Sequence, residues 1–231
     1  MRPRFPALCT LVAALLALDA TCAWAIGDGP ASVPKGAAGT AAQQTPDLQA
    51  KLLYNDGIDQ VRRADNAAAA AATADAAHKA HAADEARTLY STALGKFQQA
   101  VRLDPKLHEA WNYLGYTHRK LGDYDEALEA YERALALRPG YPEAIEYRAE
   151  AYLALRRFAD AQRSYLDLFA SNRAAAERLL EAMKSWVATQ QSAGTAPDAA
   201  VNELDKWVQE RSQIASQTAA LTREGAAASW H

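Results

Sequence analysis

Apolar residues along this chain recur three and four positions apart, and almost nowhere in strict alternation. Leu48, Leu52, Leu53, Ile58 and Val61 open the pattern. Trp111, Leu114, Gly115 and His118 follow at i, i+3, i+4 and i+7, then Ala127, Tyr131, Ala134 and Leu135. Later come Ala176, Leu179, Leu180, Met183, Trp186 and Val187, and finally Val201, Leu204, Trp207 and Val208. That spacing gathers side chains on one face of a helix, so each run predicts an amphipathic helix and none predicts a strand. Breakers sit between the runs. Leu121-Gly122-Asp123-Tyr124 ends one helix and starts another, because Gly takes the left-handed conformation of a helix end and Asp can cap the next helix. Leu137-Arg138-Pro139-Gly140 ends that second helix, since Pro cannot continue it. The segment from His108 to Tyr141 therefore reads as two short antiparallel helices.

The segment also repeats. Moving upstream from 124 to 90, a shift of 34 positions, sets Tyr90, Ala93, Phe97, Ala100 and Pro105 on Tyr124, Ala127, Tyr131, Ala134 and Pro139. The same shift downstream sets Ala149, Tyr152, Phe158, Ala161 and Tyr165 on Gly115, His118, Tyr124, Ala127 and Tyr131. There the pattern decays, with Ile145 for the Trp, Arg148 for the Leu, Leu168 for the second Ala and Arg173 for the Pro. W-x-x-L-G-x-x-H, then A-x-x-x-Y-x-x-A, then Pro139 resembles a tetratricopeptide repeat. His118 stands where that family usually has Tyr, and Tyr131 where it usually has Phe.

The resemblance implies an all-α fold, an α-solenoid of about three helix hairpins closed by C-terminal capping helices. It also implies that the first helix of each hairpin lines a concave groove for an extended or helical segment of another protein. On the middle hairpin, Glu109, Asn112, Tyr116, Arg119 and Lys120 would face that groove. In the next repeat the places fall to Glu143, Glu146, Glu150, Leu153 and Ala154, and in the first to Lys51, Tyr54, Ile58, Val61 and Arg62. Asn112 matches an Asn used by family members that clamp a peptide carboxylate. The basic partners of such a clamp would fall at Glu143 and Glu146, of the wrong sign, so an acidic C-terminal tail is disfavoured. The expectation is a partner segment whose basic residues face Glu143, Glu146 and Glu150. The alternative is structural: the chain assembles with itself, or its C-terminal helix fills its own groove.

The ends and one interruption complete the organisation. Residues 1–25 read as a secretory signal: Arg2 and Arg4, an apolar run from Leu8 to Leu18, and Ala23-Trp24-Ala25 as a cleavage site. The run is too short for a lasting membrane span. The residues before Cys22 make a poor lipoprotein box, and cleavage after Ala25 would remove Cys9 and Cys22 together, leaving no thiol, which suits an oxidising compartment; the signal implies a secreted chain, periplasmic if the organism is a Gram-negative bacterium. Residues 26–46 are rich in Gly, Pro, Ala and Gln and read as a flexible leader. The array then spans 47–175, with an alanine-rich block over 65–83 inserted between the two helices of its first repeat. Alanine is the strongest helix former, so the block either lengthens both helices into a protruding hairpin or makes a helix of its own. Residues 176–222 hold the C-terminal helices and 223–231 a frayed tail.

Charge and motifs narrow the function. Among 231 residues the net charge is -3, which argues against nucleic acid. No Gly-rich phosphate loop, H-E-x-x-H or G-x-S-x-G motif is present, so neither catalysis nor a cofactor is expected. His78 and His81 lie three apart but lack a third ligand, and read as a surface pair rather than a metal site. His118 falls at a packing position rather than in the role of a base.

Overall fold

The computed structural model describes residues 45–192 and 198–228, with side chains described as far as residue 218. Residues 1–44, on which the expected signal and nearly all of the expected leader fall, residues 193–197 and the last three residues lie outside the described part. Eight helices make up that part: α1 (Pro46–Thr73), α2 (Ala76–Leu103), α3 (His108–Leu121), α4 (Tyr124–Leu137), α5 (Pro142–Ala154), α6 (Phe158–Ser171), α7 (Arg173–Ser192) and α8 (Ala199–Ala228). The fold is an all-α ladder of hairpins.

Local chemistry sets the helix ends. Thr45 accepts the Leu48 N–H and Pro46 opens α1, so this helix starts inside the segment expected to be leader. Gly122, at φ 94°, and Gly140, at φ 76°, make the left-handed turns after α3 and α4. The Asn172 side chain accepts the Ala175 N–H and caps α7 after a connection of a single residue. At α8 the pattern misleads: the helix continues to Ala228, beyond the fading of apolar residues near Leu221.

Consecutive helices pair as antiparallel hairpins, and the hairpins stack through their odd-numbered members. Helix α3 packs on α1 and α2, α5 on α3 and α4, and α7 on α5 and α6. The even-numbered helices meet one another mainly through the odd ones, so the odd helices form a layer of their own, the inner layer expected of such a solenoid. Helix α7 takes against α5 and α6 the place that α5 takes against α3 and α4, and α8 pairs with it. The C-terminal helices thus continue the ladder as a fourth hairpin, because α7 carries its own buried stripe of Leu179, Leu180, Met183 and Val187.

Packing explains the repeat signature. Gly115 lets α3 approach α4 so closely that a Cβ there would lie 2.7 Å from the Tyr131 ring and 3.0 Å from the Ala127 carbonyl oxygen. Gly57 does the same one hairpin earlier, where a Cβ would come within 2.6 Å of Phe97. Tyr131, Phe97, Ala93, Ala100, Ala127, Ala134, Ala149 and Ala161 are fully buried, and Tyr90, Leu114, Tyr152 and Tyr165 nearly so. Trp111 is half-buried. It packs against both the Phe97–Leu114 cluster and the Ala134–Tyr141–Ala144 cluster, and its Nε1–H donates to the Pro105 carbonyl at 3.0 Å. The Trp thereby joins three successive hairpins rather than only the two helices of its own. His118 packs at the helix end with Nδ1 3.3 Å from Asp123 Oδ2. Tyr124 and Phe158 pack at the margin of the C-terminal core.

The alanine block is helical on both sides. Helices α1 and α2 each run for 28 residues and turn at Ala74-Asp75, so they are longer than the 14-residue helices α3 and α4 by roughly 21 Å at 1.5 Å per residue. Ala64, Ala71 and Ala86 are buried between its two helices, where small side chains permit a close approach. His78 turns to Asp75, whose carboxylate lies 2.8 Å from Nδ1 and also accepts the His78 N–H.

Candidate protein-binding groove

The inner face is built from one stripe of each odd helix. On α3 the stripe reads Glu109, Asn112, Tyr113, Tyr116 and Lys120; on α5 it reads Glu143, Glu146, Tyr147 and Glu150. Tyr113 and Tyr147 are themselves 34 positions apart (147 less 113), so an aromatic recurs at the same height on neighbouring helices. With Tyr54 on α1 they form a run of rings across three hairpins. Tyr54 meets Tyr113 edge-on at 5.8 Å, Tyr113 lies 6.0 Å from Tyr116, and Tyr116 meets Tyr147 edge-on at 5.1 Å. All four rings are partly exposed.

Polar clasps close the seams between hairpins on this face. Asp65 of α1 accepts from the Tyr116 hydroxyl at 2.8 Å, from the Tyr90 hydroxyl, and lies 3.5 Å from Lys120 Nζ. Arg119 of α3 donates to Glu150 of α5 at 2.7 Å, with its guanidinium carbon 5.2 Å from the Tyr116 ring and 5.6 Å from Tyr147. Arg178 of α7 holds Glu146 of α5 through Nε and Nη2, the shortest contact 2.6 Å. Bidentate pairing of this kind fixes geometry as well as charge.

Burial dominates the electrostatics. Desolvation raises the Tyr147 phenol to about 12, with smaller contributions from Tyr113, Glu146 and Glu150. Desolvation raises Tyr141 to about 12 as well, aided by Glu143 and Glu109. Glu150 is held above the usual carboxylate range because its burial outweighs Arg119.

The residues expected to face a partner therefore divide. Arg119, Lys120, Glu146 and Glu150 are engaged with other residues of the chain, and Glu146 is buried. Tyr116 is both a clasp and a wall of the face. Asn112 is 1% exposed, with neither side-chain polar atom bonded. Glu109 lies beside His108 at 3.0 Å, and Glu143 makes no ion pair among the described residues. Ile58, Val61, Arg62, Asp65, Asn66, Tyr113, Tyr116 and Tyr147 enclose a cavity of about 220 Å³ between α1, α3 and α5.

Sequence reasoning passed over Tyr113, Tyr147 and Asp65. The 34-residue recurrence of the two tyrosines was a visible signal. Asp65 looked like the first residue of the insertion because, counted from Gly57 as Asp123 is from Gly115, it stands where the middle hairpin turns. Trp207, by contrast, lies edge-on to Tyr165 of α6 at 5.3 Å, among the even helices and not on the inner face.

Residues 108–141 match the family model Tetratricopeptide repeat. The tetratricopeptide match covers α3, α4, the turn between them and the turn after α4. Among solved structures, the first TPR of Spaghetti (RPAP3), bound to the HSP90 peptide SRMEEVD, is similar at 16% identity and TM-score 0.45. That alignment spans 62% of this chain and 98% of the other. The structure of Naa15/Naa10 bound to HypK-THB is similar at 18% identity and TM-score 0.34, over 73% of this chain and 30% of the other. At these identities neither neighbour speaks to a ligand of this chain. Among the described residues no helix is long and apolar enough to cross a membrane.

Proposed function

We propose that the chain is a protein-interaction scaffold that holds a peptide or helical segment of a partner along the inner face of α1, α3 and α5, and that it performs no chemistry itself. The observation that carries this reading is the run of partly exposed tyrosines across three hairpins, of which Tyr54, Tyr113 and Tyr147 take no hydrogen-bonding part in the clasps that close the seams while Tyr116 serves both. Tyrosine suits such a surface because its ring gives large contact area at small entropic cost while its hydroxyl stays wet. The match to a tetratricopeptide repeat agrees with it.

Selection of a displayed random-peptide library on the full chain tests the reading. It should return peptides that compete with one another for one site and lose binding when Glu143→Lys alters the open carboxylate on that face. A library that yields no specific binder would contradict it. The address outside the cytoplasm is part of the same proposal: mass spectrometry of the exported chain should find Ile26 as its first residue, and an intact Met1 would refute export by cleavage.

A further inference from the structure

The inner face offers two unlike features at a fixed separation. The first is the cavity of about 220 Å³ between Ile58 and Val61 on one side and three tyrosine rings on the other. This is smaller than the roughly 300–1,000 Å³ that takes a drug-sized ligand, and it suits one large side chain. Its walls also favour an uncharged guest. Arg119 and Lys120 already lie against the Tyr116 ring, at 5.2 and 5.7 Å, Arg62 in the lining pairs with Asp59, and the lining carboxylate of Asp65 is taken by Tyr116 and Lys120, so a further cation finds no open partner there and three cations against it. An apolar or aromatic side chain gains contact with the rings and meets no such opposition.

The second feature is a pair of carboxylates one to two turns away. Glu109 and Glu143 occupy the same position in the first turn of α3 and α5, 34 residues apart (143 less 109). Glu109 lies seven residues before Tyr116 and Glu143 four before Tyr147, so both stand at the N-terminal end of the aromatic face of their helices. The neighbouring cation Arg138 is turned to the Tyr141 ring at 4.8 Å and to His108 at 3.2 Å. Glu109 has the His108 ring beside it at 3.0 Å and Glu143 has no ion pair among the described residues, so a cation from outside complements the pair.

We infer that the groove reads a two-point motif in an extended partner segment: a bulky apolar or aromatic residue seated in the cavity walled by Ile58, Val61, Tyr113, Tyr116 and Tyr147, and a Lys or Arg beside Glu109 and Glu143. From Glu109 to Tyr116 is seven residues of helix, roughly 10 Å at 1.5 Å per residue. An extended chain covers that length in about three residues at ~3.3 Å each. The motif is therefore anchor-x-x-basic, in one chain direction or the other. This inference rests on the groove being a peptide site, and it adds what the peptide must carry.

Fluorescence anisotropy with the full chain separates the two. The probes are labelled synthetic peptides in one Ala/Ser background, carrying Trp-x-x-Lys, Ala-x-x-Lys, Trp-x-x-Glu or the reversed order Lys-x-x-Trp. Either Trp-x-x-Lys or Lys-x-x-Trp should bind about tenfold tighter than Ala-x-x-Lys, a loss typical of truncating an interface anchor. Glu143→Lys should shift the preference from Trp-x-x-Lys toward Trp-x-x-Glu. Ile58→Trp, which fills the cavity, should erase the advantage of Trp while the Lys preference persists; circular dichroism confirms that both variants fold. Equal binding of the Trp and Ala peptides overturns the inference, as does a Trp advantage that survives Ile58→Trp. If library-selected peptides still bind competitively in that case, the scaffold reading stands and only the motif falls. If neither selected nor designed peptides bind, both fall.

Discussion

The middle and third hairpins share an architecture but not a signature. In α3–α4 every diagnostic position is filled: Trp111, Leu114, Gly115, Ala127, Tyr131, Ala134 and Pro139. In α5–α6 the same places hold Ile145, Arg148, Ala149, Ala161, Tyr165, Leu168 and Arg173, and yet the two helices pair and stack in the same way. What survives is the close contact of small residues with one large ring, Ala149 and Ala161 with Tyr165 buried beside them. What is lost is supplied by charge across the seams, since α5 is tied to α3 by Arg119–Glu150 and to α7 by Arg178–Glu146. The lesson is that the ladder depends on the ring and the small residues opposite it, while the Trp and Pro positions are replaceable.

That comparison is sharpened first by removing the rings. Tyr131→Ala and Tyr165→Ala should each cost roughly 3–5 kcal/mol by denaturant unfolding, as large-to-small changes in a full core do. A loss at Tyr165 of under about 1 kcal/mol would show that the third hairpin is held by something else. Next come the clasps. Arg119→Ala leaves the Glu150 carboxylate buried without its partner and should cost about 2–3 kcal/mol. Glu146→Ala frees an Arg178 that is half exposed and should cost about 1 kcal/mol; the reverse order would mean that the α5–α7 seam carries the third hairpin.

Glycine exchanges give a finer test. Gly115→Ala forces a Cβ onto Tyr131 and the Ala127 carbonyl and should lower stability by about 1–3 kcal/mol. Gly95→Ala, with open space around its Cβ, should raise stability by about 0.5–1 kcal/mol. The turns differ too: Arg156, at φ 59°, stands where the middle hairpin has Gly122 (156 less 34), a strained place for a side chain. Arg156→Gly should recover roughly 1 kcal/mol of backbone strain, reduced by loss of the exposed Arg156–Asp198 ion pair. A clear destabilisation would mean that the ion pair outweighs the strain.

A further effect is alkaline. Tyr141 and Tyr147 ionise near 12 when folded and near 10 when unfolded, so the unfolded state releases protons first. Stability from these groups is fully present below about pH 10. It should fall as pH rises from there toward 12, and the phenolate absorbance of the folded chain should lag that of the denatured one. Coincident titrations would contradict the burial of these rings.

Much of the ladder was legible because close helix contact demands small and large residues at fixed offsets, and Gly115, Tyr131, Ala127 and Ala134 supply them in order. The inner face was half legible. Periodicity identified the stripe through Glu109, Asn112 and Tyr116. It could not show that Arg119 and Glu150, on different helices, would reach each other, because that depends on how two hairpins rotate as they stack. Asp65 was hidden for a related reason: the inserted alanines continue α1 through the place of a turn, so a residue that looked like the start of a loop became a part-exposed acceptor for Tyr90 and Tyr116.

The odd-helix face is where we propose that a partner sits. Nuclear magnetic resonance of ring-labelled tyrosines in the full chain, with and without a library-selected peptide, tests it most directly. Shifts should concentrate at Tyr54, Tyr113, Tyr116 and Tyr147 and spare Tyr124 and Tyr165 on the even helices. Shifts confined to the even helices, with the inner rings unmoved, would contradict the account.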